Sequence, residues 1–227
     1  MKKAVIIAAG GKGLRMNSDI PKQFLITNNK PILFYTIEAF LKFDKEIFLV
    51  LALPEDYVNY WFKLIKDFSF EIPHKVVLGG ETRYHSVKNA LNFVDNFELI
   101  AVHDAVRPFI TTDFLQKLFT TAQEKGSAIP ILRASDTIRE INKSQNKILN
   151  REHIFMVQTP QVFLKDWLFK AYDIAYSQEV TDDAILIEKA GYKLTFVEGL
   201  KYNIKITTPE DLFVVNCLSI LYSKQYV

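Results

Sequence analysis

Gly10, Gly11 and Gly13 fall within four positions, directly after the apolar run Val5 to Ala9, and Lys12, Arg15 and Lys22 place three cations within eleven residues of Gly11. An unbroken apolar run ending in glycines reads as a buried parallel strand that feeds a tight loop. Glycine lets backbone N–H groups approach a ligand closely, and consecutive amides form a concavity suited to phosphate oxygens. The expected guest is a polyanionic nucleotide. Two familiar phosphate motifs do not match: the dinucleotide fingerprint wants glycine where Met16 stands, and the P-loop wants Gly-Lys-Ser/Thr where the chain has Gly13-Leu14-Arg15. A second chemical centre is Asp104, which ends an apolar run and points to the crevice at the carboxyl end of a strand, where open α/β sheets bind ligands.

The elements that must position these groups alternate. Strands are predicted over 46–53, 74–80, 98–109 and 127–132 and near 193–198 and 203–206, and helices over 31–43, 56–68, 82–94, 111–126, 164–176 and 181–190. Thr82 is a plausible helix cap, and Thr207-Thr208-Pro209-Glu210 reads as a capping box opening the last helix. Such alternation predicts an α/β fold with a mostly parallel sheet covered on both faces. The segment 134–154 is polar and alternates loosely about a turn at Ser144–Asn146. It reads as a projecting β-hairpin arm, and because a lone hairpin is marginal in water, a partner subunit is expected to cover it.

At 227 residues the chain fits one α/β domain, with 134–154 as its arm. Its 28 basic and 26 acidic residues give a net charge of +2, which argues against bulk binding to nucleic acid or an anionic membrane. The single Cys217 excludes an internal disulfide framework, so a reducing cytoplasm is the expected location. The apolar run after the N-terminal lysines is too short to span a bilayer.

The combination AAGGKGLRM…PKQF, GGETRYHSV, VHDAVRP, ASDTIR, QTPQVF, TDDA and NIKITTPEDL closely resembles the 2-C-methyl-D-erythritol 4-phosphate cytidylyltransferases of isoprenoid precursor synthesis, from Lys3 to about Leu212. The resemblance implies a doubly wound nucleotidyltransferase fold, a homodimer with swapped arms, and transfer of CMP from CTP to a polyol phosphate with release of pyrophosphate. The attacking phosphate is already an anion, so the chemistry calls for positioning and fixed positive charge rather than a strong base. Arg15 and Lys22 match the family's triphosphate and transition-state cations. Ala8, Ala9, Gly10 and Gly11 match its nucleotide-binding backbone, and Gly80, Arg83 and Ser86 match the cluster that holds the cytosine. Arg107, Thr137, Arg151, Thr159, Thr181 and Lys205 match the acceptor contacts, with Lys205 also among the catalytic cations. Asp104, with Asn203, matches a Mg²⁺ site of one carboxylate and one amide oxygen. His103 reads as a partly buried structural histidine, since this chemistry has no proton that must be moved.

Ribitol-5-phosphate cytidylyltransferases share PKQFL, HDAVRPF and NIKITTP, while TDDA and Ser86 favour the methylerythritol substrate. Ile185 and Tyr202 depart from residues frequent in the family. A catalytically inactive nucleotide-binding regulator is the reading from another class. Retention of Arg15, Lys22, Asp104 and Lys205 argues against it.

Overall fold

A computed structural model describes residues 1–10, 20–142 and 146–225, with side chains as far as Leu218. The first half comprises β1 (Lys3–Ala8), a small hairpin of β2 (Ile26–Thr27) and β3 (Lys30–Pro31), α1 (Ile32–Phe43), β4 (Phe48–Leu53), α2 (Val58–Asp67), β5 (Lys75–Leu78), α3 (Arg83–Leu91) and β6 (Leu99–Asp104). It continues through α4 (Thr112–Lys125), β7 (Ser127–Arg133), β8 (Arg139–Ile141), β9 (Asn146–Ile148), β10 (Phe155–Val157) and β11 (Gln161–Leu164). Helices α5 (Lys165–Tyr172) and α6 (Asp183–Lys189), strand β12 (Phe196–Glu198) and α7 (Pro209–Gln225) complete it.

The main sheet runs β5-β4-β1-β6-β11-β7, with β10 and β12 also paired to β7. Strands β5, β4, β1 and β6 are mutually parallel, whereas β11 is antiparallel to both β6 and β7. Side chains alternate across the pleat. Val5, Ile7, Leu49 and Leu51 pack against Phe34, Phe40 and Trp61 of α1 and α2 and Leu118 of α4. Ala4, Ile6, Val50 and Ala52 face Tyr84 and Val87 of α3, Leu168 of α5 and Leu186 of α6. Both faces are covered, which is why these strands read as continuous apolar runs rather than alternating ones.

Local chemistry sets the helix ends. Thr111 caps α4 by accepting from the Phe114 N–H, and Gly126 ends it at φ 89°, left-handed backbone that glycine adopts without penalty. Thr82 caps α3, as predicted. The box at α7 lies one residue further on than predicted: Asp211, not Glu210, accepts from the Thr207 and Thr208 N–H groups.

Two features depart from the sequence reading. Residues 203–206 form no strand, because other partners take the backbone groups a ladder would use. Arg107 Nη1 donates to the Asn203 carbonyl at 2.8 Å, Lys22 Nζ donates to the Ile206 carbonyl at 2.8 Å, and the Ile206 N–H donates to the Val106 carbonyl at 3.0 Å. Conversely, β10 and β11 are two short strands along β7 that composition did not announce. Val162 opposes Ala128, so unbroken register would set Thr159 opposite Ile131; Val157 stands there instead. The two extra residues bulge between the strands, and both Gln158 and Thr159 line the cleft described below. The predicted arm is present as the exposed β8–β9 hairpin, with Arg139 opposite Ile148; part of its turn, 143–145, lies outside the described residues.

Candidate active site

Strand order reverses between β1 and β6, since the chain moves outward from β1 through β4 and β5 and then crosses back to β6. At such a switch point the connections leave in opposite directions and open a crevice at the strand ends. Ala8 and Asp104, the last residues of the two strands, are in register there. The Ala9 N–H donates to the Ala52 carbonyl at 3.0 Å, and Gln23 Nε2 donates to the Ala9 carbonyl at 2.6 Å, so the exit from β1 is pinned on both sides. Gly10 sits so close to α3 that a Cβ would lie 2.7 Å from Ser86 Oγ. The Ser86 hydroxyl donates to the Thr82 carbonyl at 2.9 Å and accepts from the Gly80 N–H at 3.0 Å. Ala8, Ala9, Gly10, Gly80 and Ser86 are thus brought to one end of the sheet, and Gly11 and Arg15 lie outside the described residues.

Asp104 is the electrostatic centre. Its Oδ1 is 3.3 Å from Arg83 Nε, and its Oδ2 is 3.3 Å from Arg107 Nε and 3.0 Å from Lys205 Nζ. Burial opposes the charge on this carboxyl, but the Arg83, Lys205 and Arg107 cations outweigh it and hold the group well below its ordinary range. These four residues, with Thr159 and Thr181, line a cleft of about 420 Å³. Lys22 is tied to the same corner through the carbonyl of Ile206, next to Lys205.

His103 is fully buried rather than partly so. Its Nδ1 is 3.0 Å from Thr159 Oγ1 and its Nε2 is 3.0 Å from the Arg107 carbonyl, and burial pulls its pKa down to about 3. It is a neutral strut. Thr159 Oγ1 also accepts from the Asp104 N–H at 3.0 Å, and the Thr159 carbonyl accepts from Asn203 Nδ2 at 2.8 Å. That leaves Asn203 Oδ1 buried with no hydrogen-bond partner. The amide oxygen and the Asp104 carboxylate are oxygen donors of the type a hard cation prefers, but Asn203 is not among the residues lining the cleft, and both Asp104 oxygens are already paired with cations. Among the described residues no group of three His, Cys, Asp or Glu is placed to hold a metal ion.

The model of the family 2-C-methyl-D-erythritol 4-phosphate cytidylyltransferase matches residues 3–219. The chain belongs to this family. A 2-C-methyl-D-erythritol 4-phosphate cytidylyltransferase of Bacteroides fragilis is 41% identical over 218 residues, covering 96% of this chain and 100% of the relative. One of Azobacteroides pseudotrichonymphae is 44% identical, covering 96% and 98%. The solved 4-diphosphocytidyl-2C-methyl-D-erythritol synthase of Anaerococcus prevotii superposes with a TM-score of 0.81 at 28% identity, covering 96% of this chain and 97% of that one. The Francisella tularensis cytidylyltransferase gives 0.78 at 34%, covering 95% and 99%. The protein is therefore a cytidylyltransferase, with the doubly wound, mostly parallel sheet of its family.

Within this cytidylyltransferase, Arg83, Asp104, Arg107, Thr159, Thr181 and Lys205 meet in the cleft. Thr137 and Arg151 do not line it. Both are exposed near the arm, with Arg151 Nη1 donating to the Ser135 carbonyl at 3.0 Å. Gln158, Gln161, Tyr172 and Asp183 were not singled out from sequence. Gln158 and Gln161 line the cleft, while Asp183 and Tyr172 stand behind Arg83. The second acid of TDDA, set just before an apolar turn, was the available signal for Asp183. Among the described residues no helix is long and apolar enough to cross a membrane.

Proposed function

We propose that this cytidylyltransferase joins CTP to 2-C-methyl-D-erythritol 4-phosphate, giving 4-diphosphocytidyl-2-C-methyl-D-erythritol and pyrophosphate. A phosphate oxygen of the acceptor forms a bond to the α-phosphorus of CTP, the bond from that phosphorus to the α–β bridging oxygen breaks, and its electron pair leaves with pyrophosphate. No proton has to move at the reacting atoms. The observation that carries this reading is the convergence of Arg83, Arg107 and Lys205 on Asp104 at the switch point, beside a glycine-rich strand exit. Two polyanions repel each other, and fixed cations in a partly buried cleft offset that repulsion without reorganising during the reaction.

The backbone from Ala8 to Gly11 and the Arg15 and Lys22 cations take the triphosphate. Ser86 sits on the base side with its donor and one acceptor position used locally, so one acceptor lone pair remains. That lone pair suits the exocyclic amine of cytosine and not the carbonyl of uracil, which is how a directed hydrogen bond selects a base. Arg107, Thr159, Thr181 and Lys205 face the acceptor. Thr137 and Arg151 are exposed near the arm, and in a homodimer built through 134–154 they reach the neighbour's cleft. Mg²⁺, when bound, neutralises phosphate charge, and Asp104 would ligate it only by giving up one of its paired cations.

The test is pyrophosphate release with each of the four NTPs and with methylerythritol phosphate and ribitol 5-phosphate as acceptors. Release with CTP and methylerythritol phosphate is expected. Faster turnover with ribitol phosphate would reassign the acceptor, and no release with any pair would remove the reading.

A further inference from the structure

Tyr172 and Asp183 lie behind the cleft, and the cytidylyl-transfer reading gives them no part. Asp183 is fully buried and Tyr172 is 3% exposed. The Tyr172 hydroxyl donates to Asp183 Oδ1 at 2.6 Å, and Arg83 Nη2 donates to Asp183 Oδ2 at 2.7 Å. Arg83 Nε, on the same edge of the guanidinium, points instead to Asp104 Oδ1 at 3.3 Å. That edge ordinarily grips one carboxylate with both donors. Here two carboxylates divide it, so Asp104 never receives the bidentate grip. Among the described residues Arg83 Nη1 has no hydrogen-bond partner, and Arg83 lines the cleft.

We propose that Tyr172 and Asp183 are positioning residues for cytidylyl transfer: they hold the Arg83 guanidinium so that Nη1 faces the substrate phosphates, and they keep it from closing on Asp104. The proposal rests on the reaction inferred above. The backbone at Asp183 is fixed independently, because Gln161 Nε2 donates to Asp182 Oδ2 at 2.9 Å and Gln161 Oε1 accepts from the Ala184 N–H at 3.0 Å. What remains loose is rotation of the Asp183 carboxylate, and the Tyr172 hydroxyl removes it. Burial, reinforced by the Asp183 charge, raises the Tyr172 pKa well above its ordinary value, so the hydroxyl stays a donor throughout the working pH range. The Tyr172 ring stacks on Tyr84 with centroids 5.0 Å apart, so Tyr172→Phe removes the hydroxyl and leaves the packing.

The experiment is a double-mutant cycle in the full-length protein: Tyr172→Phe, Arg83→Ala and the pair, with kcat, the KM for CTP and for the acceptor, and the unfolding midpoint of each. Tyr172→Phe is expected to lower kcat/KM about tenfold, mainly through kcat, and to lower the midpoint by several degrees because the buried Asp183 Oδ1 loses its donor. In the Arg83→Ala background the same change is expected to cost less than about twofold. An undiminished loss in that background, or no loss in the single variant, overturns the proposal. If Arg83→Ala is too poorly folded to assay, Arg83→Lys closes the cycle with the same criterion. A wild-type enzyme that releases no pyrophosphate fails the reaction reading itself; an active one whose two losses simply multiply fails only this proposal.

Discussion

Lys205 Nζ lies 3.0 Å from Asp104 Oδ2, and the two partners are unequally exposed: 42% of the lysine side chain is accessible against 9% of the aspartate's. The carboxylate is enclosed, whereas the lysine reaches solvent. Asp104 keeps Arg83 and Arg107 when Lys205 turns towards a phosphate, so the pair costs little to open. Lys205→Met should therefore leave the unfolding midpoint within about 3 °C while lowering kcat by roughly 10²–10³, the usual loss on deleting one preorganised charge. Parallel calorimetry and pyrophosphate assays check both halves. A large fall in the midpoint with turnover preserved would make Lys205 a structural residue.

The buried pair His103 and Asp104 sets the acid limb of stability. His103 has its pKa pulled below the ordinary 6.5 to about 3, so the unfolded chain binds a proton that the folded chain refuses over that interval. Stability contributed by neutral His103 is complete above pH 6.5 and drains as pH falls towards 3. Asp104 is also depressed, so its contribution is complete above its ordinary 3.8 and is lost below it. Between pH 6.5 and about 5, above the range in which the depressed carboxylates Glu98, Glu179, Glu210 and Asp104 begin to titrate, the slope therefore belongs to the histidine. His103→Gln should flatten the pH dependence of the denaturation free energy across that window, whatever it does to the absolute value. Denaturant titrations at successive pH values provide the measurement.

Much of the scaffold was legible because local rules and tertiary packing agree. The 111–126 helix carries its cap at Thr111 and its left-handed stop at Gly126, and the strand exit at Ala8–Gly10 announces a ligand crevice through glycine and apolar run alone. The same reading failed at 203–206, where apolar content suggested a ladder but Arg107 and Lys22 take the carbonyls. It also failed at Gln161–Leu164, whose four residues are too few to show a period. In the site, Arg83, Asp104, Arg107 and Lys205 could be named one by one. That they would share a single carboxylate could not, since Arg83 and Lys205 come from α3 and from the segment before α7. Asp183 stayed hidden for the same reason: its partners Arg83 and Tyr172 are on separate helices.

Gly80 and Gly126 separate function from folding. A Cβ at Gly80 would sit 2.3 Å from the His85 Cβ and 3.0 Å from the His85 carbonyl carbon, so the loop and the first turn of α3 must move apart. That displaces Ser86, which Gly80 holds, and Gly80→Ala should raise the KM for CTP at least about tenfold. A Cβ at Gly126, which is not among the residues lining the cleft, would meet the Trp167 ring at 2.2 Å on backbone already at φ 89°. Gly126→Ala should cost roughly 2–4 kcal/mol of stability and leave that KM unchanged. Saturation curves beside denaturation curves distinguish the two. Equal effects of both variants on KM would contradict the assignment of Gly80 to the nucleotide side.

Thr137 and Arg151 pose the remaining question, since both match the family's acceptor contacts yet neither lines the cleft of their own chain. The β8–β9 hairpin beside them is fully exposed, with Ile141 72% and Ile148 58% accessible, and a two-stranded ribbon carrying such side chains gains little from standing in water. If a second copy covers the arm, each cleft is completed by the neighbour's Arg151. Lys22→Ala and Arg151→Ala subunits should then be nearly inactive separately and recover when co-refolded. A mixed dimer has one cleft with both defects and one with neither, and half the dimers are mixed, so recovery should approach about a quarter of wild-type turnover. Replacing 139–150 by a short turn should shift the protein to monomer in size-exclusion chromatography. Absent recovery would sink the shared cleft, and an Arg151→Ala protein that keeps wild-type turnover, together with an unchanged elution volume for the shortened arm, would place Arg151 outside the chemistry and leave the acceptor phosphate to Arg107 and Lys205.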